Sequence, residues 1–139
     1  MTETVKRLLL IDDADIDQRL YRRMIERSEI VDEVVSFYYA DEALNYLRAN
    51  KTEEIDLIFL DINMPRMNGF EFLEAASDEL GDSFAHVVIV MLTTSLNPAD
   101  RERAESFSIV RDFINKPLTI DHVHHAASLV RAAREGGAS

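Results

Sequence analysis

Short apolar runs alternate with amphipathic stretches along the chain. The runs cover residues 5–11, 34–39, 55–60, 87–92 and 109–114. They are rich in β-branched and aromatic residues, which in runs this short favours strand over helix. The third and fourth are almost wholly apolar, as expected of central strands covered on both faces. Arg111 and Asp112 interrupt the fifth, the weakest of the set. Between the runs the spacing turns helical. Ile16, Leu20 and Met24 recur every fourth residue. Asp41 is expected to cap a helix over 42–50. Phe70, Leu73 and Ala76 continue the helical spacing after Gly69. Asn97-Pro98 reads as a cap followed by proline at the first helical position. Thr119 opens a last helix through Val123, Ala127 and Val130, which ends near Gly136-Gly137.

Five strands alternating with five helices predict an α/β fold: an open, doubly wound parallel sheet with helices on both faces. Right-handed crossovers favour the flavodoxin-like strand order 2-1-3-4-5. The 139 residues suit one domain spanning 1–139, with a core over about 5–134 and a short C-terminal tail. No repeat, low-complexity run or linker divides it.

Composition narrows the function. No apolar run approaches the roughly 20 residues that span a bilayer, and the N-terminus carries no signal-peptide pattern. With no cysteine there are no disulfides, thiolate metal sites or cysteine nucleophiles. A cytoplasmic location is the expectation. The formal net charge is −11, which disfavours nucleic acid, whose binding rests on Lys and Arg neutralising phosphates. The cluster of Arg19, Arg22, Arg23 and Arg27 is mixed with acids and reads as a solvated helix face. The glycines, Gly69, Gly81, Gly136 and Gly137, form no phosphate-cradling loop.

Ligand sites in such sheets lie beyond the carboxyl ends of the strands, at the switch in strand order, here between strands one and three. Asp12-Asp13 follows strand one, Asp61 strand three, Thr93 strand four and Lys116 strand five. Four strands thus send polar groups to one edge. Asp12 and Asp13 would otherwise simply cap the first helix, and Asp61 would be an ordinary turn aspartate. Converging carboxylates need a cation or retain a proton. An oxygen-only donor set suits a hard cation, Mg2+ above all, or Mn2+. Asp61 is the candidate nucleophile, able to take a phosphoryl group as an acyl phosphate. Lys116 can pair with Asp61 when the site is empty and with a phosphoryl oxygen when it is full. Thr93 can hydrogen-bond a second oxygen.

These residues, set in "LLLIDDADID", "IDLIFLDINMPRMNGFEFLE", "VVIVMLTTS" and "DFINKPLT", resemble the receiver domain of two-component response regulators. The resemblance covers nearly the whole chain and implies a flavodoxin-like fold, an aspartyl phosphate and Mg2+ dependence. It implies that Asp61 is the phosphoacceptor. Asp13 would be the direct metal ligand, Asp12 would act partly through water, and Asn63 would offer its backbone carbonyl. Thr93 resembles the switch hydroxyl, and Lys116 the family's lysine, joined to Pro117 by a cis peptide. Phe113 occupies the switch-aromatic position and lacks the hydroxyl of the tyrosine often found there. Pro65 and Gly69 resemble the turn that supports the phosphoacceptor. The family often has glycine before the last strand. This chain has "ESFSIVRDF", so a different loop path is expected between Phe107 and Ile109. "LTTSLNPADRERA" resembles small single-domain receivers found near phytochrome-type sensor kinases.

The implied partners are a sensor histidine kinase or histidine phosphotransfer protein, docking at Ile16 and Leu20, and a downstream protein target. Homodimerisation through the helix-four and strand-five face is a further implication. With nothing after Ser139, a stand-alone switch without an output domain is the expectation. Asn63 and Ser95 flank the site and are candidates to control water. His122 and His125 share one side of the last helix, but an exposed helix explains them more simply than a metal site. An enzymatic alternative, a phosphatase of the haloacid-dehalogenase type, fits the order of residues poorly. Its nucleophile follows the first strand and has an aspartate two positions on, where this chain has Asn63. A binding module that does not use phosphorylation is the other alternative.

Overall fold

The computed structural model describes residues 5–50 and 52–137. The five strands are β1 (Val5–Ile11), β2 (Val31–Phe37), β3 (Leu57–Asp61), β4 (Val88–Thr93) and β5 (Val110–Asn115). The five α-helices are α1 (Asp15–Ser28), α2 (Ala40–Ala49), α3 (Gly69–Leu80), α4 (Pro98–Glu105) and α5 (Ile120–Gly137). All strand pairs are parallel, in the order β2-β1-β3-β4-β5. This is the expected flavodoxin-like α/β arrangement. The tail at Ala138-Ser139 lies outside the described residues.

Alternation along each strand sends successive side chains to opposite faces of the sheet. Leu9 and Ile11 of β1 join Ile58, Leu60, Ile89 and Met91 in a core closed by Ala43, Leu44, Leu47, Phe72 and Leu73 of α2 and α3. Leu8 and Leu10 join Leu57, Phe59, Val88 and Val90 in a second core, closed by Tyr21 and Ile25 of α1 and Val123, Ala126 and Val130 of α5. The central strands β3 and β4 are buried along their whole length. That fixes the heights at which their last residues emerge.

Two expectations are corrected. The second strand begins three residues earlier than its apolar run and stops at Phe37. Its polar start pairs with β1 at an edge of the sheet, where the Arg7 Nε donates to Glu33 at 2.6 Å. Tyr38 and Tyr39 leave the sheet, and Tyr39 stands at the N-cap of α2 without a side-chain cap. Asp41 therefore lies inside the first helical turn. Its carboxylate binds Arg66, whose Nε donates at 3.2 Å and whose guanidinium lies 3.9 Å from the centre of the Tyr39 ring.

Other helix starts follow the sequence. Asn97 accepts from the Ala99 N–H, with Pro98 at the first helical position. Thr119 Oγ1 accepts from His122 N, and His122 Nδ1 accepts from Thr119 N. His122 is thus occupied as part of a cap, while His125 faces Asp112 at 3.6 Å. The turn before β5 needs no glycine: among the described non-glycine residues only Glu29 and Arg66 have positive φ. Phe107 stacks on Phe70 at 6.2 Å, and Val110 N bonds Phe107 O at 3.0 Å.

Gly69 is required by closeness rather than by dihedral angle. A Cβ there would lie 2.7 Å from the Asp61 carbonyl oxygen and 3.1 Å from Ile62 Cα. Both neighbours are backbone and cannot turn aside. Gly69→Ala is therefore expected to destabilise the protein by about 1–3 kcal/mol, the usual cost of overpacking. Urea unfolding checks this, and an unchanged midpoint would contradict the contact.

Candidate functional site

The site is assembled at the carboxyl edge of the sheet from strand ends that the two cores hold in place. Asp12 is the first residue after β1. Its N–H donates to Phe37 O at 3.0 Å, and its Oδ1 accepts from Ala14 N at 2.9 Å. Asp12 thus shapes the turn into α1, whose N-cap Ala14 has no side-chain cap. Asp13 beside it is exposed, whereas Asp12 and Asp61 are buried. Asp61 closes β3 in register with Leu92 of β4. One carboxylate oxygen from each of Asp12, Asp13 and Asp61 lies within 4.8 Å of the other two.

Lys116 enters from the end of β5. Its N–H donates to Thr93 O at 2.8 Å, and the Lys116-Pro117 peptide is cis. The ammonium makes its short contacts with Asp12 Oδ2, at 2.8 Å, and Asp17 Oδ2, at 2.9 Å. Asp61 Oδ1 is 3.5 Å away. The expected pairing of Lys116 with Asp61 is therefore the longest of three carboxylate contacts. Asp17, on the first turn of α1, belongs to this network and was not singled out from the sequence. An acid four residues beyond Asp13, one turn into the helix, was the signal that could have found it.

Gln18 is a second residue that sequence reasoning missed. Buried on α1, its Nε2 donates to the carbonyls of Leu10, Asp12 and Phe37 at 2.8–3.1 Å. It ties the ends of β1 and β2 to the helix and holds the Asp12 backbone. Its Oε1 is the one buried side-chain polar atom without a partner among the described residues.

Thr93, wholly buried at the end of β4, accepts from Ser95 N through its Oγ1 at 2.9 Å. Phe113 is buried beneath Arg101, whose guanidinium lies 4.8 Å from the ring centre. Asn63 and Pro65 are exposed in the loop after β3. That loop is closed by Gly69 N donating to Ile62 O at 2.9 Å. It ends in a reciprocal cap between Asn68 and Glu71, with both bonds at 2.9 Å.

Electrostatics follow from burial and crowding. Desolvation, and then the neighbouring Asp12, push the Asp61 carboxyl up to about 7, against a partial pull from Lys116. Burial likewise raises Asp12, opposed by its bond from Lys116. Burial alone would lower Lys116, but the bonds to Asp12 and Asp17 and the charge of Asp61 outweigh it and raise its pKa. The site is short of positive charge: one ammonium faces four carboxylates. The oxygens of Asp12, Asp13 and Asp61 converge, and an all-oxygen donor set suits a hard divalent cation.

The family described as the response regulator receiver domain matches residues 8–128. The chain belongs to that family. The receiver relatives are moderately distant. The polar-differentiation response regulator DivK of Brucella anthropi is 26% identical over 83% of this chain and 87% of its own length. Hybrid signal transduction histidine kinase B of Dictyostelium discoideum is 27% identical over 84% of this chain. This chain matches only 6% of that kinase and about half of the rice two-component response regulator ORR1. A two-component response regulator from Cytophaga hutchinsonii superposes with a TM-score of 0.87 at 28% identity, covering 94% of this chain and 99% of its own. The bacteriophytochrome response regulator RtBRR gives 0.75 at 26% identity, over 91% of this chain and 78% of its own. Response regulator Rcp1, solved in a Mn2+-bound form, gives 0.71 at 25% identity, over 89% and 91%.

The raised Asp61 pKa fixes how receiver stability should depend on pH. In the folded protein without metal, Asp61 keeps its proton up to about 7, whereas an ordinary aspartate loses it near 3.8. Its contribution to stability is thus complete below about pH 4 and is lost as pH rises to about 7. Asp61→Asn should flatten this fall and exceed wild type at pH 8 by about 1–3 kcal/mol. Urea unfolding in a chelator at pH 5 and pH 8 measures this; parallel curves for the two proteins would contradict it.

Proposed function

We propose that this receiver takes a phosphoryl group on Asp61 from a sensor histidine kinase or a histidine phosphotransfer protein. The observation that carries this reading is the meeting of the Asp12, Asp13 and Asp61 carboxylates with Lys116, delivered by separate strand ends to one cleft. Asp12, Asp13 and Asp61, with the Asn63 carbonyl, would hold Mg2+ or Mn2+. When bound, the cation neutralises charge on Asp61 and on the phosphoryl oxygens.

An Asp61 carboxylate oxygen bonds to phosphorus as the phosphorus–nitrogen bond of the donor phosphohistidine breaks. The electron pair returns to the imidazole, which takes up a proton from solvent. Lys116 moves toward Asp61 to meet one phosphoryl oxygen. Thr93 gives up its bond from Ser95 N to reach another. This frees the loop that begins at Ser95 and shifts the population of a surface that a downstream protein reads. Phe113, beneath Arg101, is the aromatic that couples to Thr93. Asn63 and Ser95, at the mouth of the cleft, set how water reaches the acyl phosphate. Pro65, Gly69 and Pro117 keep the loops around Asp61 in place. The chain is a phosphoacceptor rather than a turnover enzyme, apart from its own phosphorylation and dephosphorylation.

Ile16 and Leu20 support docking of the histidine donor on α1, being 72% and 55% exposed on the helix that starts at the site. Among the described residues no helix is long and apolar enough to cross a membrane. A cytoplasmic protein, one domain over its whole length and signalling through protein contacts, completes the proposal.

Intact-mass measurement after acetyl phosphate treatment tests the reading. One phosphoryl group is expected on wild type with Mg2+, and none after chelation or in Asp61→Asn. Labelling that survives Asp61→Asn would place the acceptor elsewhere. No labelling of wild type would favour a binding module that does not use phosphorylation.

A further inference from the structure

The Lys116 ammonium is almost buried and carries three donors. Two are spent on Asp12 and Asp17, leaving Asp61 at 3.5 Å. Asp12 belongs to the carboxylate cluster that suits a cation, whereas Asp17 lies outside that cluster. Asp17 is anchored on α1, which is fixed by Gln18 and by the packing of Tyr21 and Ile25. Its carboxylate therefore keeps its place on the helix whatever occupies the cleft. A cation on Asp12 would weaken that carboxylate's hold on the ammonium, but not the hold of Asp17.

We propose that Asp17 is a positioning residue that holds Lys116 back from Asp61, so that the lysine moves to a phosphoryl oxygen against the pull of α1. This rests on Asp61 being the phosphoacceptor. Asp17 and the phosphoryl group compete for one ammonium. Asp17 thus sets how strongly the phosphorylated state is favoured, without touching the phosphoryl group. It also couples Lys116 to the helix that carries the exposed Ile16 and Leu20. A partner seated there presses on the element that holds the lysine.

The test measures beryllofluoride affinity by 19F NMR at saturating Mg2+. Asp17→Asn keeps size and polarity but removes the competing charge. It is expected to bind the phosphoryl mimic about fivefold more tightly than wild type, the worth of a partly exposed ion pair. In a Lys116→Ala background the same substitution should change affinity less than about twofold. Equal tightening in both backgrounds would mean simple charge repulsion and would overturn the proposal. Unchanged or weaker binding in Asp17→Asn would do the same. A second reading needs neither metal nor mimic. In the metal-free protein the Lys116 ammonium should give a protected 15N–1H signal that is lost in Asp17→Asn, and its persistence would also overturn the proposal. If wild type fails to bind beryllofluoride, the phosphoacceptor reading fails, while this second reading still decides whether Asp17 holds the lysine.

Discussion

Like charges forced together at the carboxyl edge of the sheet govern this molecule. Two carboxylates about 4 Å apart repel by ~1 kcal/mol in water and ~4 kcal/mol at an effective dielectric near 20. Here three meet within 4.8 Å, two of them buried. The fold tolerates this because Lys116 lies among them and because Asp61 can keep a proton up to about 7. Both remedies are provisional. Under the proposed function, a cation would displace the proton and a phosphoryl group would draw away the lysine. The proposed site would then change its internal contacts with its occupancy, the property a switch needs.

The rest of the structure keeps the repulsion from relaxing by movement. Rows of buried aliphatic residues on both sheet faces fix the ends of β1, β3 and β4. Gln18 binds the backbone at Asp12, and the missing Cβ of Gly69 lets α3 start against the Asp61 carbonyl. The Lys116 N–H is paired to Thr93 O, so Lys116 and Thr93 share one stretch of backbone pairing. Displacing any of these elements would relieve the carboxylates at the expense of close-packed core.

Much of this was legible in the sequence. The apolar runs gave β1 to the residue, and both central strands to within one or two residues, because a strand buried on both faces has nothing polar to blur its ends. The edges were harder. β2 begins with Val31, Asp32 and Glu33, and the polarity of its two acids is tolerated because they lie on the edge strand of the sheet. Periodicity therefore placed the strand too late, and Asp41 was mistaken for a cap. Asp12, Asp13, Asp61, Thr93 and Lys116 were legible because each lies at, or within two residues of, the end of a strand. Asp17 and Gln18 were not. Their importance comes from which way α1 turns them, and a helix with exposed Ile16 and Leu20 at its start gives no clear apolar face to count from. The short contacts of Lys116 were equally hidden, since three acids compete for it and only the packing of α1 chooses among them.

The most direct test of the central claim is anomalous scattering from a crystal of this protein soaked in Mn2+. A single strong peak is predicted within coordination distance of Asp13 and Asp61 and beside Asp12, with Lys116 still in the cleft. A saturating soak with no peak there, or with the metal held by other residues, would contradict the account.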